Sequence, residues 1–417
     1  MITAPDEGEV LNTSNRVRSR VPARKRRRAA LAGALTTTAL VSGLLLAAPG
    51  SAAAHETHRT APSGVTETDI AASTSSTYYR IPDITVSTKG TVLLAYDRRN
   101  GSSADLPGDI DTMLVRSTDN GRTWSKPAAV VDYPGPQGCG DSSMIVDRDT
   151  GRIFLFCTYS AGKVGFPTSQ PGTDDTTDPN TLHVQVRHSD DDGRTWSGPT
   201  DLNPQVKDVS WRGYFASSGH GIQTSGGRLI QPLAVADSAG THHFADIHSD
   251  DHGATWHAGA LSSADNDESK AVELSDGTIV QNVRPVRAGH RLIATSHDGG
   301  QTFSASVADP ELPDPSVNGD EIRVNAASHG PHRDWLLFAN AADQSARQNM
   351  TIRLSCDNGK TWPVRKLLHA GPSGYAAMAM LPDGRVGVFY EGGASSYTEK
   401  MVFATLSPGD LGASCGR

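Results

Sequence analysis

Aromatic residues make up only 6% of this 417-residue chain and charged residues 20%. No long stretch carries the 3.6-residue apolar period of an amphipathic helix, which argues against a helical architecture. None of the fifteen histidines stands in an H-E-x-x-H or other metal-ligand spacing, and no phosphate-binding loop or nucleotide motif is present. No Ser-His-Asp arrangement can be asserted either, so neither a metal nor a cofactor is expected. The formal charge is −8. Because residues 1–54 hold eight Lys/Arg against three Asp/Glu, the remainder is five units more acidic, and nucleic acid is set aside as a partner. What is abundant is Gly, Ser, Thr and Asp, the composition of many short strands joined by turns.

The first 54 residues stand apart. Arg24-Lys25-Arg26-Arg27-Arg28 precedes an apolar run from Ala29 to Ala48 and then Ser51-Ala52-Ala53-Ala54. A basic region, a short apolar region and small residues at the end read as a signal peptide cleaved after Ala54. A secreted protein follows, with no membrane attachment after cleavage and residues 55–417 as the mature domain. Three Thr and two Gly in the apolar run make it a poor membrane span. The four cysteines allow disulfides in an exported chain. Cys139 and Cys157 lie almost symmetrically about the turn at Asp149-Thr150-Gly151 and can face each other across a hairpin, which leaves Cys356 and Cys415. Reduced, buried thiols are the alternative for all four.

Five times the chain repeats one phrase, S-x-D-x-G-x-T-[W/F]: STDNGRTW from Ser117, SDDDGRTW from Ser189, SDDHGATW from Ser249, SHDGGQTF from Ser296 and SCDNGKTW from Ser355. Ser and Asp side chains can bond the backbone N–H groups of a turn, and Gly accepts the positive φ a Cβ resists. The terminal aromatic can bury its ring against a neighbouring unit, and four of the six Trp residues sit in that slot. Spacing of roughly 45 to 75 residues points to repeated β units with variable loops. A calcium loop is excluded because Thr and the aromatic follow too soon for twelve-residue ligand spacing.

Between these motifs recur six tight hairpins: ITVSTKGTVLLAY, MIVDRDTGRIFLF, GIQTSGGRLIQPL, AVELSDGTIVQNV, IRVNAASHGPHRDWLLF and AMAMLPDGRVGVFY. Each pairs two apolar, β-branched runs across a polar turn. Six hairpins, each completed by an outer pair of strands, predict an all-β, six-bladed β-propeller of four-stranded antiparallel blades. The last hairpin lacks its own motif, so an outer strand is expected from the N-terminal segment near Val65–Thr77. In this topology the motifs occupy the face opposite the starts of first strands and the ends of second strands. Arg80, Arg98, Arg99, Asp105, Asp141, Glu268, Arg284, Asn318, Asp320, Arg347, Tyr375 and Glu391 all fall on the latter rim. Any one of them could be an ordinary solvated residue; their convergence from remote parts of the chain argues otherwise.

Tyr79-Arg80-Ile81-Pro82 opening the first hairpin unit, the five Asp boxes, DES before ELSDG, and GY after the last box resemble the bacterial and animal exo-α-sialidases over essentially the whole mature chain. The resemblance implies release of terminal sialic acid from glycoproteins, glycolipids or oligosaccharides, with retention of configuration, by a monomer. Sialic acid carries a carboxylate on its anomeric carbon, and guanidinium groups clamp such an anion with charge-assisted, partly bidentate bonds. By resemblance the clamp is Arg80, Arg284 and Arg347, with Arg353 and Arg323 as alternatives for the third member and Glu391 as a buttress for Arg80. A carboxylate nucleophile would be repelled by that substrate, and sialidases use a tyrosine instead. Tyr375 matches the nucleophile and Glu268 its base, the two titrating as a pair, with nearby arginines expected to lower the tyrosine pKa. Asp105 matches the acid/base, with Asp109 and Asp111 as alternatives. Arg99 and Asp141 match positions around the C4 hydroxyl and N-acetyl group, Arg98 substituting if the strand end is shifted. The competing reading is a non-catalytic Asp-box propeller that binds glycan or protein. A transferase or intramolecular variant remains open within the first.

Overall fold

The computed structural model describes residues 64–324 and 332–411. The expected signal segment and cleavage site, and Cys415, lie outside them. Apart from β1 (Thr66–Ala72), the strands come in antiparallel groups in chain order. The first is β2 (Thr77–Val86), β3 (Val92–Asn100), β4 (Ile110–Ser117) and β5 (Ala128–Val131). The second is β6 (Gly138–Val146), β7 (Ile153–Ser160), β8 (His183–Ser189) and β9 (Thr200–Asp201). The third comprises β10 (Gly213–Ala216), β12 (Ile222–Gln223), β13 (Leu229–Ala236), β14 (His242–Ser249) and β15 (His257–Ala258), while the short β11 (Gly219–His220) runs parallel to β6. The fourth is β16 (Asn266–Glu273), β17 (Ile279–Pro285), β18 (Gly289–Ser296) and β19 (Val307–Asp314). The last strands, β20 (Asp320–Arg323), β21 (Leu336–Ala341), β22 (Gln348–Ser355), β23 (Val364–Met380), β24 (Val386–Gly392) and β25 (Lys400–Leu406), form one seven-stranded sheet completed by β1. It is continuous because the 17-residue β23 pairs with β22 along Val364–Pro372 and with β24 along Ser373–Met380.

The six hairpins read from the sequence are β2–β3, β6–β7, β12–β13, β16–β17, β20–β21 and β23–β24. Their strands are nearly continuous in buried apolar residues, as expected where both faces of a sheet are covered: Val92 to Tyr96 and Leu229 to Ala236 are buried throughout. The N-terminal outer strand is also found, with β1 paired antiparallel to β25. A disulfide joins Cys139 on β6 to Cys157 on β7; Cys356 is disulfide-bonded as well.

Each Asp box is an internally bonded turn between the third and fourth strands of its group. In the second box the Asp191 carboxylate accepts Thr195 N–H at 2.8 Å, Arg194 N–H at 3.0 Å and the Thr195 hydroxyl at 2.6 Å, while Gly193 N–H donates to Ser189 Oγ at 2.9 Å. The box glycine is required for a second reason besides its φ of 74°. A Cβ there would lie 2.4 Å from Leu93 Cδ2 on the preceding sheet.

The boxes fasten one group to the next at the hairpin-turn end. Asp192 accepts the Thr91 hydroxyl at 2.7 Å across the β2–β3 turn. His252 pairs with Asp147 of the β6–β7 turn at 3.0 Å, and Gly299 O accepts Arg228 Nη1 of the β12–β13 turn at 3.0 Å. The first box reaches the last hairpin: Asn120 O accepts Arg385 Nη2 at 3.1 Å, and Trp124 meets Phe403 edge-on at 5.0 Å. The first box thus joins the last hairpin to the first group.

Candidate active site

At the other ends of the same strands the predicted residues converge. Arg80 stands early in β2 at a register shift between Arg80 and Asp83, where Ile81 has a φ of 61°. Glu391, fully buried at the end of β24, accepts Arg80 Nε at 3.0 Å and Nη2 at 3.3 Å. The same carboxylate accepts the N–H of Ile81 at 2.9 Å and of Tyr375 at 3.1 Å, so it orients the arginine and both flanking backbones. Gly374 precedes the tyrosine because a Cβ there would sit 2.1 Å from Glu391 Oε2.

The Tyr375 hydroxyl donates to Glu268 Oε2 at 2.5 Å. Arg284 Nη1 donates to both partners, to the phenol oxygen and to Glu268 Oε2, at 2.8 Å each. The other carboxylate oxygen, Oε1, accepts Ser218 Oγ at 2.9 Å and Asn318 Nδ2 at 3.1 Å. Three guanidinium carbons surround the Tyr375 ring: Arg80 at 5.5 Å, Arg347 at 5.5 Å and Arg284 at 6.0 Å from its centroid. Tyr397 backs Arg80 and Arg347 at 5.5 and 5.4 Å, and Ser316 accepts from Arg284 and Arg347 through its hydroxyl and carbonyl respectively. Arg353 is excluded from the cluster, buried against Asn340 Oδ1 at 3.2 Å, and Arg323 faces a different cavity.

Asp105 extends over the cluster with its side chain 75% exposed, 3.7 Å from Arg80 Nη1. Arg99 Nη1 donates to it at 2.5 Å. Partial burial pushes its carboxyl up, but Arg99, Arg80 and Arg347 outweigh that and hold it below the usual carboxylate range. The alternatives lie elsewhere: Asp109 bonds Asn100, and Asp111 bonds Arg98 and Asn100. Asp141, at a φ of 58°, lines the cavity. Burial, together with the carboxylates of Asp97, Glu268 and Asp105, drives its pKa well above the ordinary value.

One expectation is corrected. The Tyr375 hydroxyl is raised well above an ordinary phenol, because burial and the Glu268 anion outweigh the arginines. Arg99, fully buried, donates to Asp97, Asp105 and Ser103 O, so it braces the Asp105 loop. His242 also lines the cavity and bonds Asp267 at 3.1 Å.

The cavity measures about 250 Å³. Asp105, Asp141, Arg284 and Tyr375 form its polar side, and Phe166, Pro167, Leu182 and Phe215 its apolar side. A larger cavity of about 490 Å³ opens at the opposite ends of β2, β6, β16 and β20, among Val86, Val146, Val272 and Ile322, and contains none of the clustered arginines or the Glu268–Tyr375 pair. Ser218, Ser316, Tyr397 and the Phe166–Phe215 wall escaped the sequence reading, since each lies in a loop or strand with no local signal of its own. Asn318, a predicted rim position, was the one legible pointer to the support of Glu268.

Residues 90–388 match the family model described as BNR repeat-like domain. A sialidase of Micromonospora viridifaciens is 42% identical over 347 residues, covering 81% of this chain and 52% of that protein. A sialidase of Bacteroides fragilis is 32% identical over 341 residues, covering 78% of this chain and 62% of that protein. The chain therefore spans roughly half to three-fifths of these relatives. Among solved structures, the Hadza microbial sialidase Hz136 superposes with a TM-score of 0.74 at 32% identity, covering 80% of this chain and 66% of that one. The all-β fold, the repeated boxes and these matches together establish that the chain belongs to the BNR-repeat family of bacterial sialidases.

Proposed function

We propose that this protein is a secreted, monomeric exo-α-sialidase that hydrolyses terminal sialic acids of glycoproteins, glycolipids or oligosaccharides with retention of configuration. The observation that carries the reading is the 2.5 Å contact between Tyr375 and Glu268 inside a ring of three arginines. A module that only binds glycan has no need of a buried phenol–carboxylate pair. In this reading the sheets are the six blades of a propeller. The seven-stranded sheet is two blades joined through β23, and β1 supplies the outer strand that closes the ring.

In the proposed reaction Arg80, Arg284 and Arg347 bind the substrate carboxylate and place the anomeric carbon over the Tyr375 oxygen. A phenol of raised pKa is a weak nucleophile, so Glu268 removes its proton as the C–O bond forms. Asp105 gives a proton to the departing glycosidic oxygen. In the free site its neighbouring arginines keep Asp105 ionised; a bound carboxylate offsets the field of Arg80 and Arg347 and lets the acid hold that proton. Water then attacks the sialyl–tyrosine bond, Asp105 accepts the water's proton, and Glu268 returns the first proton to Tyr375. Asp141 faces the sugar from the polar side of the cavity, and the apolar wall suits the methyl of an N-acetyl group. Tyr375→Phe should bind sialic acid with nearly unchanged Kd and lose several orders of magnitude in kcat on a fluorogenic sialoside. A phenylalanine variant turning over at the normal rate would remove the tyrosine from the mechanism.

A further inference from the structure

We propose that Lys270, buried beneath the pocket, is a positioning residue for the Glu268–Tyr375 pair, acting through Ser218; the inference rests on the reading of that pair as base and nucleophile. Lys270 is completely buried on β16, two residues beyond Glu268. Its Nζ donates to the carbonyl of Ser218, which also accepts Asn318 Nδ2 at 3.1 Å. Ser218 Oγ in turn donates to Glu268 Oε1 at 2.9 Å and accepts from Asn318 at 2.9 Å. One carboxylate oxygen is therefore held from below by Ser218 and Asn318, which leaves Oε2 aimed at the Tyr375 hydroxyl. The backbone is shaped for the ammonium. Gly219 has a φ of 111°, and a Cβ there would sit 2.8 Å from Lys270 Nζ.

A buried lysine is costly unless nearby anions offset its desolvation. Asp83 on β2 and Asp320 on β20, both fully buried, act on Lys270, as does Glu268; Arg291 on β18 opposes them. Asp320 is itself tied to Met378 N–H and to His220 Nε2 at 3.0 Å, and His220 borders the 490 Å³ cavity. Burial lowers the Lys270 ammonium while Asp320 and Glu268 pull it up. The pocket's base thus rests on a column of charge that runs toward the opposite face. Nothing in the clamp or the acid/base chemistry requires this column, and an apolar side chain would have filled the space without the desolvation cost.

The test uses the full-length protein with Lys270→Met and Ser218→Ala. Misplacing a catalytic group by about 1 Å can cost about 100-fold. Lys270→Met should accordingly lose about 10- to 100-fold in kcat while KM and the Kd of sialic acid stay within about twofold, and Ser218→Ala about 10-fold. If Lys270→Met does not fold, the Lys270→Met/Asp83→Asn pair, which removes the ammonium together with the buried carboxyl group on β2, serves in its place. Ser218→Ala with wild-type kcat overturns the proposal, as does a folded lysine variant with kcat unchanged, provided Tyr375→Phe and Glu268→Gln are inactive. Full activity in those two controls instead overturns the reading of the pair.

Discussion

Individual side chains in this pocket do different work with similar chemistry. Asp105 and Glu268 are both carboxylates beside arginines, yet one is mostly exposed on a loop and the other fully buried under a tyrosine. Only the exposed one can swing over a leaving group. Asp105→Ala should impair cleavage of a natural sialyl–galactose linkage far more than that of an aryl sialoside, because general-acid help is worth about 10²–10⁴-fold and a phenolate needs little of it. Comparing kcat/KM on the two substrates checks this; equal losses would make Asp105 something other than the acid. Among the arginines, Arg347→Ala should cost about 2–5 kcal/mol of sialic acid binding, much of it from the unpaired anion left behind. Arg353→Ala should leave KM unchanged, as Arg353 bonds Asn340 away from the cavity. Calorimetric titration of both variants with sialic acid distinguishes them.

At the scale of the element, the Asp box is a clip with two jaws. One jaw is internal, the carboxylate gathering N–H and hydroxyl donors; the other is the glycine and its neighbour, which press on the adjacent sheet. The internal jaw holds the Asp191 pKa below the usual range, through the Thr195 hydroxyl and backbone first. A folded-state pKa depressed in this way adds stability above the unfolded value of about 3.9, and the gain disappears as pH falls through the folded value. Asp191→Ala should therefore lower Tm at neutral pH by an amount equivalent to about 1 kcal/mol, the usual worth of a cap or turn acceptor. The difference from wild type should shrink in strong acid, and KM should not move. A changed KM at constant Tm would place the box at the substrate, against its position at the hairpin-turn ends of the strands.

For the whole molecule the decisive contacts are those that join the last group to the first. Phe403 on β25 is buried under Trp124 and Gly121 of the first box, and β1 lies along the same strand. Phe403→Ala should cost about 3–5 kcal/mol, the range for a buried phenylalanine that leaves a cavity. Urea unfolding measures it. A loss below about 1 kcal/mol would show that the seam contributes little to stability.

Much of this arrangement was legible before any coordinates. The five boxes and six hairpins carry their instructions locally, in a turn glycine, a Ser–Asp pair and alternating apolar runs, because turn geometry depends on residues a few positions apart. The same locality put Arg80, Arg284, Tyr375 and Glu391 beside the starts and ends of recognisable hairpins, and the resemblance to sialidases supplied their roles. Tertiary structure alone decided what depends on burial and on distant neighbours. It raised the Tyr375 hydroxyl where a count of nearby arginines pointed the other way, since desolvation is a property of the whole enclosure. It turned Arg99 inward to Asp97 and Asp105, brought His242 to the cavity wall, and set Lys270 under Ser218, 52 residues away. Local patterns specify turns and strands; the free energy of a charge is set by everything packed around it.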